Sequence, residues 1–517
     1  MGHDKKQFWT RPIGPALAVA LSILVAGARE AHAYDVLLNT TLIGQGYQLR
    51  AADGRVLNRR RVDFYLRLYV YDILPEPKDP DERMKPHPQM HFVSAMRLDA
   101  DFGSFAGADG EDLAVIDEEM PSRPTFQLLF GYLGVTDLAR GWLNLKAGRQ
   151  FRWDAMDAYS FDGVTVEVTT PWHATLEVFA GSRVNGTLPI DSPILLMDGT
   201  SPTQSPVRWA PAFGVALATR RLEWLYARVA YRHTLSVLED TEEEALSFVR
   251  PDESAPSCPQ RLSTSEERVT AWVSVWKKRL LPYAGVAYSV MHSRFARALA
   301  GARVKFGPLG VFRSTNGGGH SLGLEYARHE PTFDGDSIFN IFNTEPFTEA
   351  RAFYELDWDN RWSAYLRGTL RFFRGGLEEG GTQEEREELS WKNPGGGLGV
   401  RYSGRSLTAR GDWYWQEGYG GRTLGFDFYL RHQLQRVPIS WETRATVAHW
   451  SDDLSPELRG ITAGVAVGAT WRFHERVAAH LMVEDNFGEH YDSDLRIYTM
   501  LQVTWCTSGR CTAGVEF

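Results

Sequence analysis

Long hydrophobic runs, positive charge and cysteine are all scarce in this 517-residue chain. Beyond residue 33 no apolar run approaches the ~20 residues that a membrane-crossing helix needs, which excludes a helical membrane protein. Lys and Arg number 56 against 65 Asp and Glu, a formal net charge of −9, so the chain carries no basic footprint for nucleic acid. Cysteine occurs three times. Cys258 stands alone in a polar segment, whereas Cys506 and Cys511 bracket Thr507-Ser508-Gly509-Arg510, a span that a disulfide can staple in an oxidising compartment. No CxxC spacing and no neighbouring His pair accompany them, so neither a metal site nor a cofactor is expected. Catalytic signatures are missing too: there is no G-x-S-x-G, no HExxH and no P-loop, and an enzyme is not expected. The suggestive pairs His292-Ser293 and His320-Ser321 are sequence neighbours, which in a strand point to opposite faces. A barrel-embedded hydrolase built on either is the least favoured reading.

Alternation is abundant. From Ile461 to Trp471 apolar side chains stand at every second position against Thr462, Gly464, Gly468 and Thr470. A tight turn follows at Phe473–Arg476, and Val477, Ala479, Leu481 and Val483 resume the pattern against Ala478, His480, Met482 and Glu484. Strands of roughly 9–11 residues with one apolar face suit a transmembrane barrel, whereas soluble strands average nearer 5–6. Further candidates run almost end to end, from Leu38–Arg50 and Val62–Asp72 through His91–Phe102, Phe126–Thr136 and Trp142–Phe151 to the stretch ending at Trp505. High glycine (48 residues) and 12% aromatics fit strands that are only half apolar.

The connections fall into two alternating classes. Asp137–Gly141, Pro171–His173, Arg220–Leu222, Lys277–Leu281, Asp359–Arg361, Ser403–Arg405, Gln433–Arg436 and Phe473–Arg476 are short. Between them lie longer or polar ones, including Arg152–Tyr159, Asn185–Pro206, Leu238–Glu266, His329–Phe347 and Gly375–Asn393. Short turns at one end and long loops at the other are the layout of an outer-membrane barrel. A propeller or solenoid would show a fixed repeat, and none is found. The expected fold is therefore an all-β, antiparallel, up-and-down transmembrane β-barrel of roughly 20–22 strands, within a range of 16–22. The lower values apply if the first hairpin and Arg294–Gly323 stay out of the wall; Arg294–Phe306 also reads as a short basic amphipathic helix. Residues 1–33 carry Lys5, Lys6 and Arg11, an apolar Ala16–Gly27 and Ala31-His32-Ala33, the pattern of a cleaved secretory signal. Residues 34–517 then form one domain in the bacterial outer membrane, with no room for a plug before the strands begin.

Leu145-Lys146-Ala147-Gly148-Arg149-Gln150, followed after a short loop by Phe161-Asp162-Gly163-Val164, resembles the strand–loop–strand segment of Gram-negative porins, including the alginate-export type. A terminal aromatic, here either Trp505 or Phe517, is similar to the assembly signal of bacterial outer-membrane barrels. These resemblances imply passive movement of hydrophilic solutes and recruitment of the barrel-assembly machinery. The residues add a polar face opposite the apolar one: Arg67, Lys146, Glu167, Arg228, Arg232, Glu355, Asp357, Arg367, Arg371, Arg410, Asp412, Asp427, Arg431, Glu442, Arg444 and Arg472. Such charges are costly against lipid and ordinary against water, so they are expected to line a pore. Glu355/Asp357 are expected beside Arg367/Arg371, and Arg410/Asp412 beside Asp427/Arg431, as cross-strand pairs that stiffen the wall. Arg367, Arg371, Arg410, Arg431 and Arg444 are the candidates for a ladder that attracts anions or sugar hydroxyls.

Acidic runs at Glu239–Glu244 and Glu384–Glu388 are candidates for bridging lipopolysaccharide through divalent cations. Asn185–Pro206, and after it His329–Phe347, carry apolar residues that suit a loop folded inward as a constriction. The expected function is a porin-like channel for small hydrophilic solutes, monomeric or oligomeric, contacting outer-membrane lipid. A closed or plugged barrel with a structural, adhesive or assembly role is the alternative. Thiol labelling under denaturing, non-reducing conditions should find one reactive cysteine, Cys258; three would refute the Cys506–Cys511 staple.

Overall fold

Strands that are apolar on one face only must satisfy their backbone N–H and C=O groups in one another. If the apolar face meets lipid, no edge is left open only when the sheet closes on itself. The computed structural model describes residues 34–51, 56–75, 77, 79, 81, 85–101, 125–184, 210–220, 222–238, 261–307, 319–330, 332, 346–358, 361–373, 392–418, 421–452, 459–489 and 491–507. The expected signal at 1–33, Cys258, Cys511, Phe517, both acidic runs and most of the two candidate constriction loops lie outside those residues.

The first strands are β1 (Asp35–Ala51), β2 (Val56–Tyr71), β3 (Gln89–Asp101), β4 (Thr125–Asp137), β5 (Leu143–Trp153) and β6 (Ala158–Thr169). Next come β7 (Ala174–Arg183), β8 (Pro211–Thr219), β9 (Leu225–Leu238), β10 (Arg261–Val275), β11 (Leu280–Ser289) and β12 (Arg294–Phe306). β13 (Gly319–His329), β14 (Phe347–Asp357), β15 (Trp362–Phe373), β16 (Lys392–Ser403) and β17 (Leu407–Gly418) follow. The last are β18 (Gly421–Gln433), β19 (Ile439–Asp452), β20 (Gly460–His474), β21 (Val477–Gly488) and β22 (Tyr491–Cys506). They make one 22-stranded sheet in which each strand pairs with its sequence neighbours and β1 pairs antiparallel with β22. The described residues of the first hairpin and of Arg294–Gly323 are in the wall, apart from Gly307. Arg294–Phe306 is a strand rather than a helix, pairing with β11 and β13, and its imperfect alternation coincides with a register shift at Ala287/Tyr288.

The two ends of the barrel differ as expected. Loops after odd-numbered strands include the long ones, and those after even-numbered strands are mostly tight turns. The exceptions at the tight end are the Pro-rich link between β2 and β3 and the segment between β12 and β13. Trp142, Trp172, Trp224, Trp276, Trp358, Trp362 and Trp471 are all exposed at the tight-turn end, and the registers put Trp362 and Trp471 on the outer face, where an interfacial aromatic girdle sits. Leu322, Leu324, Leu366, Leu398, Val447, Val465 and Leu481 are exposed on the outer face between the rims. Only a bilayer stabilises so much outward apolar surface on a closed barrel, and such a barrel belongs to the outer membrane.

The closing seam is reinforced at the tight-turn end. Val36 N–H donates to Thr507 Oγ1 at 2.9 Å, and Thr507 N–H donates to the Val36 carbonyl at 3.1 Å. The adjacent Cys506 is buried and disulfide-bonded. β22 runs through Trp505 to this point.

Glycine serves the interior face. Tyr365 on β15 donates to Asp412 Oδ1 on β17 at 2.6 Å, reaching across β16 at Gly399. A Cβ at Gly399 would stand 2.3 Å from both the Tyr365 ring and Asp412 Oδ1. Tyr283 on β11 likewise crosses β12 at Gly301 to donate to Glu325 at 2.8 Å. Gly399→Ala should therefore destabilise the barrel by about 1–3 kcal/mol, whereas Gly368→Ala, with nothing within 4 Å of the new Cβ, should stay within about 0.5 kcal/mol. Denaturant titration read by folded-barrel gel mobility checks this, and equal stability of the two variants would contradict it.

Candidate functional site

Side chains alternate, so the ladder registers carry one parity from strand to strand and decide which residues share a face. In β20, Ile461, Val465, Val467 and Trp471 are exposed outward, while Gly464, Ala466, Gly468 and Thr470 are buried on the other face. Carried around the sheet, that parity places Arg67, Lys146, Glu167, Arg228, Arg232, Glu355, Asp357, Arg367, Arg371, Arg410, Asp412, Asp427, Arg431, Glu442, Arg444 and Arg472 on the interior face. Several of their partners differ from those expected. Glu355 is bonded by Arg303 on β12, and Arg371 by Glu349 on β14. Arg410 pairs with Asp412, and Arg444 with Glu442, two residues along the same strand. Asp427 accepts from Thr446 rather than from an arginine. Residues i and i+2 share a face and lie about 7 Å apart along the strand, within reach of an arginine and a carboxylate.

On β14 to β22 these pairs share an asymmetry. Arg410 is 56% exposed and its partner Asp412 10%; Arg444 is 49% exposed and Glu442 6%. Arg351 with Glu349 and Arg496 with Asp494 follow the same rule. Carboxylates are shorter than guanidiniums by several bonds, so they sit against the wall while the arginine heads stand in the lumen. Glu355, which pairs with Arg303, and Asp357 are more open. Arg410 donates to Asp412 through Nε and Arg444 to Glu442 through one terminal nitrogen, leaving donors directed elsewhere. Arg367 and Arg431 form no ion pair among the described residues. Arg401, Arg410, Tyr429 and Arg444 occupy successive positions of one register row across β16 to β19. Of the ladder candidates, Arg410, Arg431 and Arg444 are thus neighbours, while Arg367 and Arg371 form a second group on β15.

The opposite arrangement holds on β5 to β13. The connection Asp154–Asp157 between β5 and β6 turns inward, closed on itself by Asp154 N–H to the Asp157 carbonyl at 2.7 Å. Met156 is buried there against Ala287, Leu299 and Ala327, with Trp272 and Tyr283 packed around it. Asp154 bonds Arg228 at 2.7 Å, and Glu177 joins both Arg228, at 3.3 Å, and Arg152. Asp157 contacts Arg232 at 3.0 Å and Arg268 at 3.3 Å, and Glu266 closes the ring at 2.6 and 2.8 Å. The Arg232 guanidinium also lies 4.2 Å from the centre of the Tyr159 ring. Every charge in these two clusters is largely buried and neutralised. Arg228 and Arg232 are thus committed to the loop. The alternation revealed its strands but not this fold-back; the only hint was Met156, an apolar residue inside an otherwise acidic turn.

The resemblance segment acquires a geometry of its own. Arg149 holds Asp162 through two hydrogen bonds of 2.7 Å and donates a third, also 2.7 Å, to the Leu128 carbonyl. Leu128 adjoins the irregularity where β4 slips one residue against β3. By parity this staple lies on the outer face, beside Gly148, whose φ is +128°. A Cβ at Gly148 would stand 2.3 Å from the Gly131 carbonyl oxygen. The staple ties β5 and β6 to β4 beside its irregularity.

The Ser/His pairs do not assemble. His320 stacks on Phe306 on the outer face, while Ser321 faces inward to Arg303 and Glu355. His292 bonds Ser289 at 3.0 Å, and the same hydroxyl accepts the His292 N–H, a turn cap. Burial, then the nearby Arg294 and Arg268, holds the His292 imidazole below its ordinary pKa. Among the described residues no group of His, Cys, Asp and Glu has the geometry to hold a metal ion.

No protein-family model matches the chain, and no curated protein matches it in sequence. Among solved structures it is similar to Pseudomonas aeruginosa OccK9 (OpdG), at 9% identity, with 92% of this chain and 98% of that one covered and a TM-score of 0.41. Pseudomonas aeruginosa OpdK with vanillate is similar at 10% identity, 91% and 98% coverage and a TM-score of 0.37. The translocation pore of the P pilus usher PapC is similar at 8%, 90% and 99%, with a TM-score of 0.44. At such scores likeness carries no argument about cargo or partner.

Met156→Ala should lower stability by about 2–5 kcal/mol through the cavity it leaves, whereas Ala155→Ser, on the exposed side of the turn, should have little effect. Denaturant titration of both variants checks the anchor. Equal stabilities would mean that Met156 does not hold the loop.

Proposed function

We propose that the chain is an outer-membrane channel for passive diffusion of small hydrophilic solutes, narrowed by the Asp154–Asp157 loop and biased toward anions. One observation carries the bias: on β14 to β22 guanidiniums are presented to the lumen while their carboxylate partners are recessed. Formal neutrality of such pairs does not mean a neutral wall, because a passing anion meets the cationic end first. Charge-assisted contacts to several arginines in turn are each replaceable by water or by the next arginine, which suits entry without trapping. Arg367, Arg371, Arg410, Arg431 and Arg444 supply this wall, and Arg228, Arg232, Asp154 and Asp157 hold the constriction in place. No catalytic step, metal or cofactor enters this reading. Lipopolysaccharide would surround the long-loop rim, with Glu239–Glu244 and Glu384–Glu388 bridged to it by divalent cations, and the barrel-assembly machinery would insert the folded wall. A closed barrel with a structural or adhesive role is the rival reading, favoured by how tightly β5 to β13 pack around Met156.

Reversal potentials in a potassium chloride gradient test the proposal. The wild type should pass chloride in preference to potassium. Arg367→Ala, Arg410→Ala and Arg444→Ala combined should move the permeability ratio toward or below one. A cation-preferring wild type, or an unchanged ratio in the variant, would contradict the arginine wall. A folded protein giving no current steps would favour the closed barrel.

A further inference from the structure

Inward-facing aromatics gather at the tight-turn mouth, on the arc β2 to β5, and the arginine wall does not account for them. Tyr69 and Tyr71 stack with rings 6.1 Å apart and 8° from parallel, and Tyr71 is 41% exposed. Tyr69 and Tyr132 flank Val93 in the registers of β2, β3 and β4. The His91 ring meets Tyr132 edge-on at 6.1 Å, and Lys146 Nζ lies 5.8 Å from the centre of the Tyr132 ring. His91 lies against bare backbone, since a Cβ at Gly134 would stand 2.3 Å from its Nε2. A membrane girdle does not explain the group. Girdle residues point outward, as Trp362 and Trp471 do at this rim, whereas parity turns these rings inward.

We propose that Tyr69, Tyr71, His91, Tyr132 and Lys146 form a binding station for pyranose rings at the tight-turn mouth of the channel. A pyranose has a face of C–H groups and a rim of hydroxyls. The first matches the flat, exposed Tyr71 ring, and the second matches phenol oxygens, imidazole nitrogens and an ammonium held around it. Inorganic ions would gain little from ring faces, so the station acts on ring-bearing solutes and leaves salt conductance alone. Its position lets it hold a solute at the exit while the next enters, which raises the occupancy of a channel at low concentration. The station rests on the channel reading above, since a closed lumen would give it nothing to serve.

The test is block of the ion current by maltopentaose in planar bilayers, added to either side. The wild type should show reversible closures, with a lower half-blocking concentration for addition at the tight-turn side. Tyr71→Ala and Tyr132→Ala should raise that concentration about two- to tenfold, and Tyr71→Phe should leave it near wild type, since the ring face is kept. Folding of each variant is verified by gel mobility, and Tyr71→Ala, at an exposed position, carries the conclusion if Tyr132→Ala fails to fold. A conducting wild type that maltopentaose does not close overturns the station and leaves the channel intact; closures indifferent to both alanine variants overturn it equally. A wild type without conductance defeats the channel reading instead. Titration calorimetry of maltopentaose into the detergent-folded protein then decides the station: heat lost in Tyr71→Ala supports it, and heat unchanged or absent overturns it.

Discussion

Everything in this molecule depends on one requirement, that no backbone N–H or C=O be left unpaired in lipid. Twenty-two antiparallel strands meet it by closing β1 on β22, and closure gives the wall two unlike faces. The outer face must be apolar, which frees every second residue to face the interior. Among the described strand residues, charges, glycines and tyrosines are concentrated at those interior positions. The seam joins two strands from opposite ends of the chain. Here it is fastened by paired bonds between Val36 and Thr507 beside the disulfide-bonded Cys506.

The interior is divided between two treatments of charge. On β5 to β13, arginines and carboxylates neutralise each other in buried rings around an inward turn, and a buried ring of this kind fixes a geometry more than it adds stability. On β14 to β22, similar pairs are split by depth, so the wall shows guanidinium to the lumen. In the channel we propose, the first arrangement narrows the lumen and the second sets its charge. Glycines at Gly301 and Gly399 connect neighbouring strands to both, by letting a tyrosine cross one strand to reach a carboxylate on the next.

Much of this was legible in the residues. Period-two alternation at Gly460–Asn486 gives strand, face and length together, and the order of short and long connections gives the polarity of the barrel. Parity is local, so the charged interior positions could be named from sequence. Partner choice could not, because parity says which face a residue occupies but not which depth or which neighbour it meets. Arg410 therefore pairs within its strand, where a cross-strand contact was expected, and Glu355 reaches Arg303 on β12. The inward turn was illegible for a related reason. Met156 packs against β11, β12 and β13, and one apolar residue in a four-residue connection hints at burial without naming strands more than a hundred positions away.

The presented arginines are the central claim, and solute flux into proteoliposomes tests them most directly. Size-matched anionic, neutral and cationic solutes, followed by vesicle swelling, read the wall without reference to salt current. The anionic solute should enter fastest and the cationic one slowest, with the order collapsing when Arg410 and Arg444 are both replaced by alanine. Equal rates for all three in the wild type, or a faster cation, would contradict it.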